Sequence, residues 1–312
     1  MKFPLMSVLI VTWNRREDVL ETVRAVFEQS YKNFEIIVVD NGSTDGTVDA
    51  LRQAYPAIKL VALKKNVGIS AGRNAGIKVA AGDIILCLDS DASPAMDALT
   101  NIVRKFQSAP EIGVINSKIV DATTREIGAA GWVYSEKGKI DQDSEFLSYS
   151  FSEGGAAIRR EVFDKVGLFW DRLFFGSEGT ELSLRVLDAG YQILYYPASL
   201  VYHRASPQSR IGGGEREYLF FKNTLYIYFV RFPWWLFVFF ASLKTGAALL
   251  RGIKHGYSGR ILRGMAEFTL ETPSLLKERE PIKTETALRY LKLQREHGQL
   301  SWNLLTWFRV KT

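Results

Sequence analysis

The stretch Gly82-Asp83-Ile84-Ile85-Leu86-Cys87-Leu88-Asp89-Ser90-Asp91 decides the fold. Its apolar centre is short and unbroken, the mark of a buried strand. Side chains two apart on a strand point the same way, so Asp89 and Asp91 are set to face one ligand at the strand's carboxyl end. In open α/β sheets that end is where ligands bind. Paired hard oxygen donors suit Mg²⁺ or Mn²⁺, and such an ion suits a diphosphate. Read alone, Asp-x-Asp is equally a solvated turn carrying two surface acids.

Outward from this strand, strand and helix signals alternate. Ser7–Thr12 reads as a strand, and Arg16–Gln29 as a helix with Val19, Val23, Val26 and Phe27 on one face. Phe34–Val39 is a second strand ending at Asp40, and Thr47–Ala54 a helix entered through a polar turn. Ile58–Ala62, Ile69–Ala80, Ile84–Leu88 and Ala95–Gln107 continue the pattern of strand, helix, strand, helix. Strict alternation predicts an α/β fold whose parallel sheet is flanked by helices. Residues 112–200 are less regular and predict mixed strands on the acceptor side. The run Ile211-Gly212-Gly213-Gly214 marks the expected boundary between a catalytic domain, 1–210, and a C-terminal helical region, 211–312.

The net charge of +6 is unevenly spread. Residues 204–312 carry 18 Lys and Arg against 8 Glu and no Asp, or +10, and residues 1–203 are left with −4. A basic tail on an acidic body points to an anionic partner. Phe232-Pro233-Trp234-Trp235-Leu236-Phe237-Val238-Phe239-Phe240 clusters its aromatic residues between Arg231 and Lys244. That pattern suits an anionic membrane surface, whereas nucleic-acid readers intersperse aromatic and basic residues. The segment is expected to lie in the interface as a helix, short of a full crossing. The plain alternative is an apolar helix packed on the catalytic domain or on a second copy of the chain. Met1–Leu9 has no signal-peptide pattern, and the lone Cys87 fits a reducing compartment.

A dehydrogenase fingerprint and a P-loop are both absent, since Thr12-Trp13-Asn14-Arg15-Arg16 follows the first strand without a glycine. Carboxylates at strand ends are the alternative device for holding phosphates. With them come, in order, SVLIVTWNRREDVLETVRAVFEQSYKNFEIIVVDNGSTDGT from Ser7, KNVGISAGRNAGI from Lys65, GDIILCLDSDA from Gly82, GGAAIRREVFDKVGLF from Gly154, FFGSEGTELSLRVLDAGYQILYYP from Phe174 and VYHR from Val201. This series strongly resembles the family 2 glycosyltransferases of GT-A fold. Within them it is most similar to the bacterial, often rhamnosyltransferase-like, enzymes of cell-surface polysaccharide synthesis.

The resemblance implies an inverting transfer of sugar from a UDP- or dTDP-linked donor to a hydroxyl of a saccharide or lipid-linked acceptor. It implies work at the inner face of the cell membrane, in the cytoplasm. Asp40 would read the N3–H of uracil or thymine, or else cap the turn after it. Thr12 and Asn14 would line the nucleotide pocket, with Asn14 also suited to a helix N-cap. Asn66 and Arg73 would lie near the nucleotide, an arginine pairing with phosphate or base. Asp91 would bind the Mn²⁺ or Mg²⁺, Asp89 would face ribose or the ion's water shell, and His203 would be the third metal-site residue. The chain departs from its relatives at the base. They carry an acid where this sequence has Gly179, which leaves Glu178 or Glu181 for the role. Glu181 also suits a first-turn partner of its helix dipole. The alternative is an inactive relative that binds nucleotide-sugar or scaffolds other enzymes.

Overall fold

The structure is a computed structural model and describes residues 3–128, 132–134, 140–206 and 212–297. Strands and helices alternate through β1 (Met6–Thr12), α1 (Arg16–Phe27), β2 (Phe34–Asp40), α2 (Thr47–Ala54), β3 (Lys59–Ala62), α3 (Ile69–Val79) and β4 (Ile84–Asp89). There follow β5 (Ala92–Pro94), α4 (Ala98–Ser108), β6 (Ile112–Asp121), β7 (Phe146–Ser148), β8 (Gly155–Arg159), α5 (Arg160–Val166), α6 (Glu178–Asp188) and β9 (Gln192–His203). Four helices close the described chain: α7 (Gly213–Arg231), α8 (Trp234–His255), α9 (Ser258–Lys277) and α10 (Thr284–Glu296).

The sheet runs β3-β2-β1-β4-β8-β6-β9-β5, with β7 paired to β9. Its first four strands are parallel, and β8 then enters antiparallel to both β4 and β6. This is the mixed α/β arrangement the sequence predicts. Every residue of β1 is buried, and they alternate between two cores. Met6, Val8 and Ile10 face α1 and α4, while Leu9 and Val11 face the side of α3, α5 and α6. A strand covered on both faces needs apolar residues at every position, which is why β1, β2 and β4 read as unbroken runs.

The second core continues into the C-terminal helices. Ile227 and Tyr228 of α7, Leu236 and Phe240 of α8 and Tyr290 of α10 share it with Leu182 and Val186 of α6. The boundary expected at 210/211 lies outside the described residues, and Gly213 and Gly214 open α7 instead of forming a loop.

One local reading is corrected. Phe27 stands 41% exposed against Tyr55, because the apolar stripe of α1 closes at Val26. Pro197 sits inside β9. Between the pairs Tyr196–Ser117 and Leu200–Lys118 the register slips, as expected where proline removes a ladder donor.

Candidate functional site

The parallel strands end on one rim. Thr12 closes β1 directly opposite Asp40 at the end of β2, and Asp89 ends β4 beside Val11. Asp40 is 1% exposed. Its Oδ2 accepts the Ser43 N–H at 3.0 Å, so it does cap the turn. Its Oδ1 is buried without a hydrogen-bond partner, as is Oγ1 of Thr12. Buried polar atoms in native structures are nearly always satisfied, so two orphans side by side mark a place built for a ligand.

Asn14 takes a left-handed backbone, φ 51°, and does not cap α1, whose N-cap is Arg15. Its side chain accepts the Thr44 N–H at 2.8 Å and fastens the end of β1 to the turn after β2. Asn66 accepts from Asn41 Nδ2 at 3.1 Å and from the Gly68 N–H at 2.9 Å, shaping the loop into α3.

Asp89, Asp91 and His203 bring one ligand atom each within 4.8 Å of one another. The residues come from distant parts of the chain. β5 pairs with β9 so that Ala92 lies opposite His203, which carries the imidazole to the carboxylate next door. His203 Nε2 is 3.3 Å from Asp91 Oδ1 and 3.8 Å from Asp89 Oδ2. Asp91 Oδ2 is held by Arg15 Nη1 and by the Ser206 N–H, each at 3.0 Å. Burial alone would raise the Asp91 carboxyl. His203, Arg15 and the Ser206 amide outweigh it and hold the group down at about 2. Asp91 is therefore ionised at any physiological pH, and its buried Oδ1 is turned toward the His203 imidazole. Two carboxylates and an imidazole so arranged fit a small divalent cation, with imidazole favouring Mn²⁺ over Mg²⁺. Arg15 escaped the sequence reading because it lies in a run of polar residues with nothing to single it out.

A second cluster adjoins the first. Arg73, 5% exposed on α3, gives Nη1 to Glu178 Oε1 at 3.0 Å and brings Nη2 to 3.8 Å from Asp89 Oδ1. It is an interior ion-pair hub and not a surface helix arginine. Glu178 opens α6 after Gly176 and Ser177, both at positive φ, which turn the chain inward. Glu181 is completely buried, and its oxygens go to Arg185 at 2.6 and 2.8 Å and to Arg231 of α7 at 2.8 Å. That pairing, more than a first-turn dipole contact, accounts for its place in α6.

Sequence reasoning missed Glu153 altogether. It precedes β8, and the antiparallel pairing of Leu88 with Gly155 brings this segment to the end of β4. Asp89 donates its N–H to Gly154 O at 3.4 Å. Burial first, and then the charge of Glu178, push the Glu153 carboxyl up to about 8 against the pull of Arg73 and the Gly179 N–H. In sequence it is one acid in a Ser-Glu-Gly-Gly turn, indistinguishable from a surface loop. Cys87 lies beneath, its thiol pushed up by burial to about 12 and so chemically quiet.

The mixed sheet, with Asp89, Asp91 and His203 grouped at the rim of its parallel half, has the α/β architecture of the GT-A class. The sequence profile described as glycosyl transferase family 2 matches residues 7–167, just over half of the chain, and the chain belongs to that family. It is 28% identical to "Glycosyltransferase AglE" of Haloferax volcanii over 225 residues, 68% of this chain and 73% of that relative. It is 36% identical over 89 residues to "UDP-Glc:alpha-D-GlcNAc-diphosphoundecaprenol beta-1,3-glucosyltransferase WfaP" of Escherichia coli, a match covering 28% of this chain and 35% of that one. In fold it is similar to the mannosyltransferase PcManGT of Pyrobaculum calidifontis, solved with GDP-Man and Mn²⁺. The TM-score is 0.56 at 19% identity, over 95% of this chain and 85% of the other.

Proposed function

We propose that this glycosyltransferase is metal-dependent and inverting. It moves a sugar from a UDP- or dTDP-linked donor to a hydroxyl of a saccharide or lipid-linked acceptor in cell-surface polysaccharide synthesis. The observation that carries the reading is the cluster of Asp89, Asp91 and His203 with the buried Oδ1 of Asp91 inside it. A bound Mn²⁺ would neutralise charge on the departing diphosphate. Asp91 and His203 hold that site, and Asp89 faces the ribose side. Asp40 Oδ1 accepts the N3–H of uracil or thymine, with Thr12 beside it. Arg73 ties Glu178 to Asp89 and fixes the geometry between the two clusters. Displacement from the face opposite the leaving group inverts the anomeric carbon.

One relative supports this reading, since its name is that of a UDP-Glc:alpha-D-GlcNAc-diphosphoundecaprenol glucosyltransferase. α8 is long and apolar enough to cross a membrane, with a mean hydropathy of 1.5 and 17% of its apolar window buried. Trp234, Trp235, Val238, Leu250 and Ile253 of this helix are exposed. This face suits an interfacial seat on the cytoplasmic leaflet, where Arg251, Lys254, Arg260 and Arg263 would meet anionic headgroups.

Thermal-shift screening of UDP-, dTDP- and GDP-sugars, dTDP-rhamnose included, with and without Mn²⁺ tests the proposal. A uracil or thymine nucleotide should stabilise the fold only with metal. Stabilisation by GDP-sugars alone would remove the role of Asp40. A second reading, a relative that binds donor without turnover, is favoured by Gly179 alone. Its signature is metal-dependent binding with no release of nucleoside diphosphate.

A further inference from the structure

Resting on the glycosyltransferase reading, we propose that Glu153 is the catalytic base, taking the acceptor's proton in the space that Gly179 leaves open.

The first argument is volume. A Cβ built at Gly179 would lie 2.7 Å from Glu153 Cδ and 2.7 Å from Phe151 O, with Glu153 Oε1 closer still. Any side chain at the second residue of α6 and the carboxylate of Glu153 therefore exclude each other. The loop before β8 fills, with an acid, the volume that a residue on α6 would otherwise occupy. Gly154 is tight for a related reason: a Cβ there would meet the carboxylate of Asp89, its Cγ at 2.9 Å. Glu153 is thus delivered next to Asp89 by a segment that packs closely against that carboxylate.

The second argument is charge. Asp89, Glu178 and Glu153 gather round one guanidinium. Arg73 spends Nη1 on Glu178 and turns Nη2 to Asp89. Glu153 is left with backbone N–H groups, its own and that of Gly179. Of the three carboxylates it is the one that makes no direct ion pair with Arg73, so it gains most from accepting a proton. Glu178 is 5% exposed and gives Oε1 to Arg73 while its Oε2 is buried without a hydrogen bond, and Glu181 is walled in by Arg185 and Arg231. Glu153 as a residue is half-buried, unlike Glu178 and Glu181, which are buried outright.

The step balances without a further reactant. The acceptor O–H proton passes to a Glu153 oxygen, and the acceptor oxygen forms its bond to C1. The bond from C1 to the diphosphate breaks, and its electron pair leaves with the diphosphate. The charged groups facing Glu153 are Glu178 on α6 and Arg73 on α3, with the neutral thiol of Cys87 on β4 beneath.

The test uses the full chain, Mn²⁺ and a panel of UDP-, dTDP- and GDP-sugars with water as the acceptor hydroxyl, reading donor affinity and nucleoside diphosphate release by donor hydrolysis separately. Glu153→Gln should bind donor as the wild type does and lose about 10²–10⁴-fold in turnover. The position swap Glu153→Ala with Gly179→Asp, which returns the acid to α6, should recover at least tenfold over Glu153→Ala. Glu153→Gln keeping more than a tenth of wild-type turnover would overturn the assignment, as would a folded double variant with no recovery. Should Glu153→Gln not fold, the swap pair decides alone. A wild type that binds donor but releases no diphosphate sinks the base assignment while sparing the binding site. A wild type that binds none of the donors sinks the functional reading and the base with it.

Discussion

Thr12 and Asp40 face each other across β1 and β2, and each buries one oxygen that meets no partner, Oγ1 on the first and Oδ1 on the second. The sheet keeps these polar atoms unsatisfied at its carboxyl rim, a cost repaid when a ligand supplies the donor. A hydrogen bond to a charged group is worth about 1.5–3 kcal/mol. Asp40→Asn should therefore weaken UDP binding by roughly tenfold or more in titration calorimetry. It keeps an oxygen for the Ser43 N–H and should leave the melting temperature of the free protein unchanged or slightly raised. Unchanged UDP affinity would refute the pairing.

The metal site should follow its ligands. Asp91→Asn leaves Arg15 and the Ser206 amide without their anion, so Mn²⁺ affinity should fall at least tenfold. His203→Ala should fall less and should narrow any preference for Mn²⁺ over Mg²⁺, because imidazole is the donor that Mn²⁺ accepts more readily. Electron paramagnetic titration of free Mn²⁺ reads both. Equal Mn²⁺ affinity in wild type and Asp91→Asn would place the ion elsewhere.

Glu181 and Arg231 join the catalytic half to α7 through a pair that is almost fully buried. Removing one member of such a pair strands the other charge, at a cost of about 3–5 kcal/mol. Arg231→Met should lower the unfolding free energy read from urea titration, by less than that because Arg185 remains on Glu181. Adding Glu181→Gln should recover part of the loss. If Arg231→Met unfolds like the wild type, the pair is not what fastens α7.

Glu153 gives stability a pH dependence of known sign. Its folded-state carboxyl titrates at about 8, against an ordinary value of 4.5. Between those values the folded state holds the extra proton. Its contribution is thus complete below the unfolded value and is lost as pH rises through about 8. The melting temperature of Glu153→Gln relative to wild type should accordingly climb from pH 5 to pH 8.5. A difference that stays flat over that range means the group is not buried as described.

The exposed face of α8 should bind anionic vesicles. Trp234→Ser with Trp235→Ser should cut co-sedimentation with phosphatidylglycerol vesicles several-fold, since each tryptophan buries a large apolar surface at an interface. High salt should weaken what remains by screening the basic residues. Binding indifferent to both changes would leave the helix as a packing element.

By itself the sequence determined the parallel half of the sheet, because strands covered on both faces need unbroken apolar runs, as in Ile84–Leu88. It also determined the rim chemistry of Asp40, Asp89 and Asp91, because strand ends fix where neighbouring side chains point. His203 could be singled out only through its motif, and what seats it beside Asp91 is the pairing of β5 with β9, 111 residues of chain later. Tertiary structure alone sets the surroundings of the remaining acids. Glu178, Glu181 and Glu153 differ little as letters. One is bound by Arg73, one is enclosed by Arg185 and Arg231, and one stands in the volume of a missing side chain. The reason is physical: charge and space are properties of what packs nearby, and those neighbours come from α3, α7 and the loop before β8.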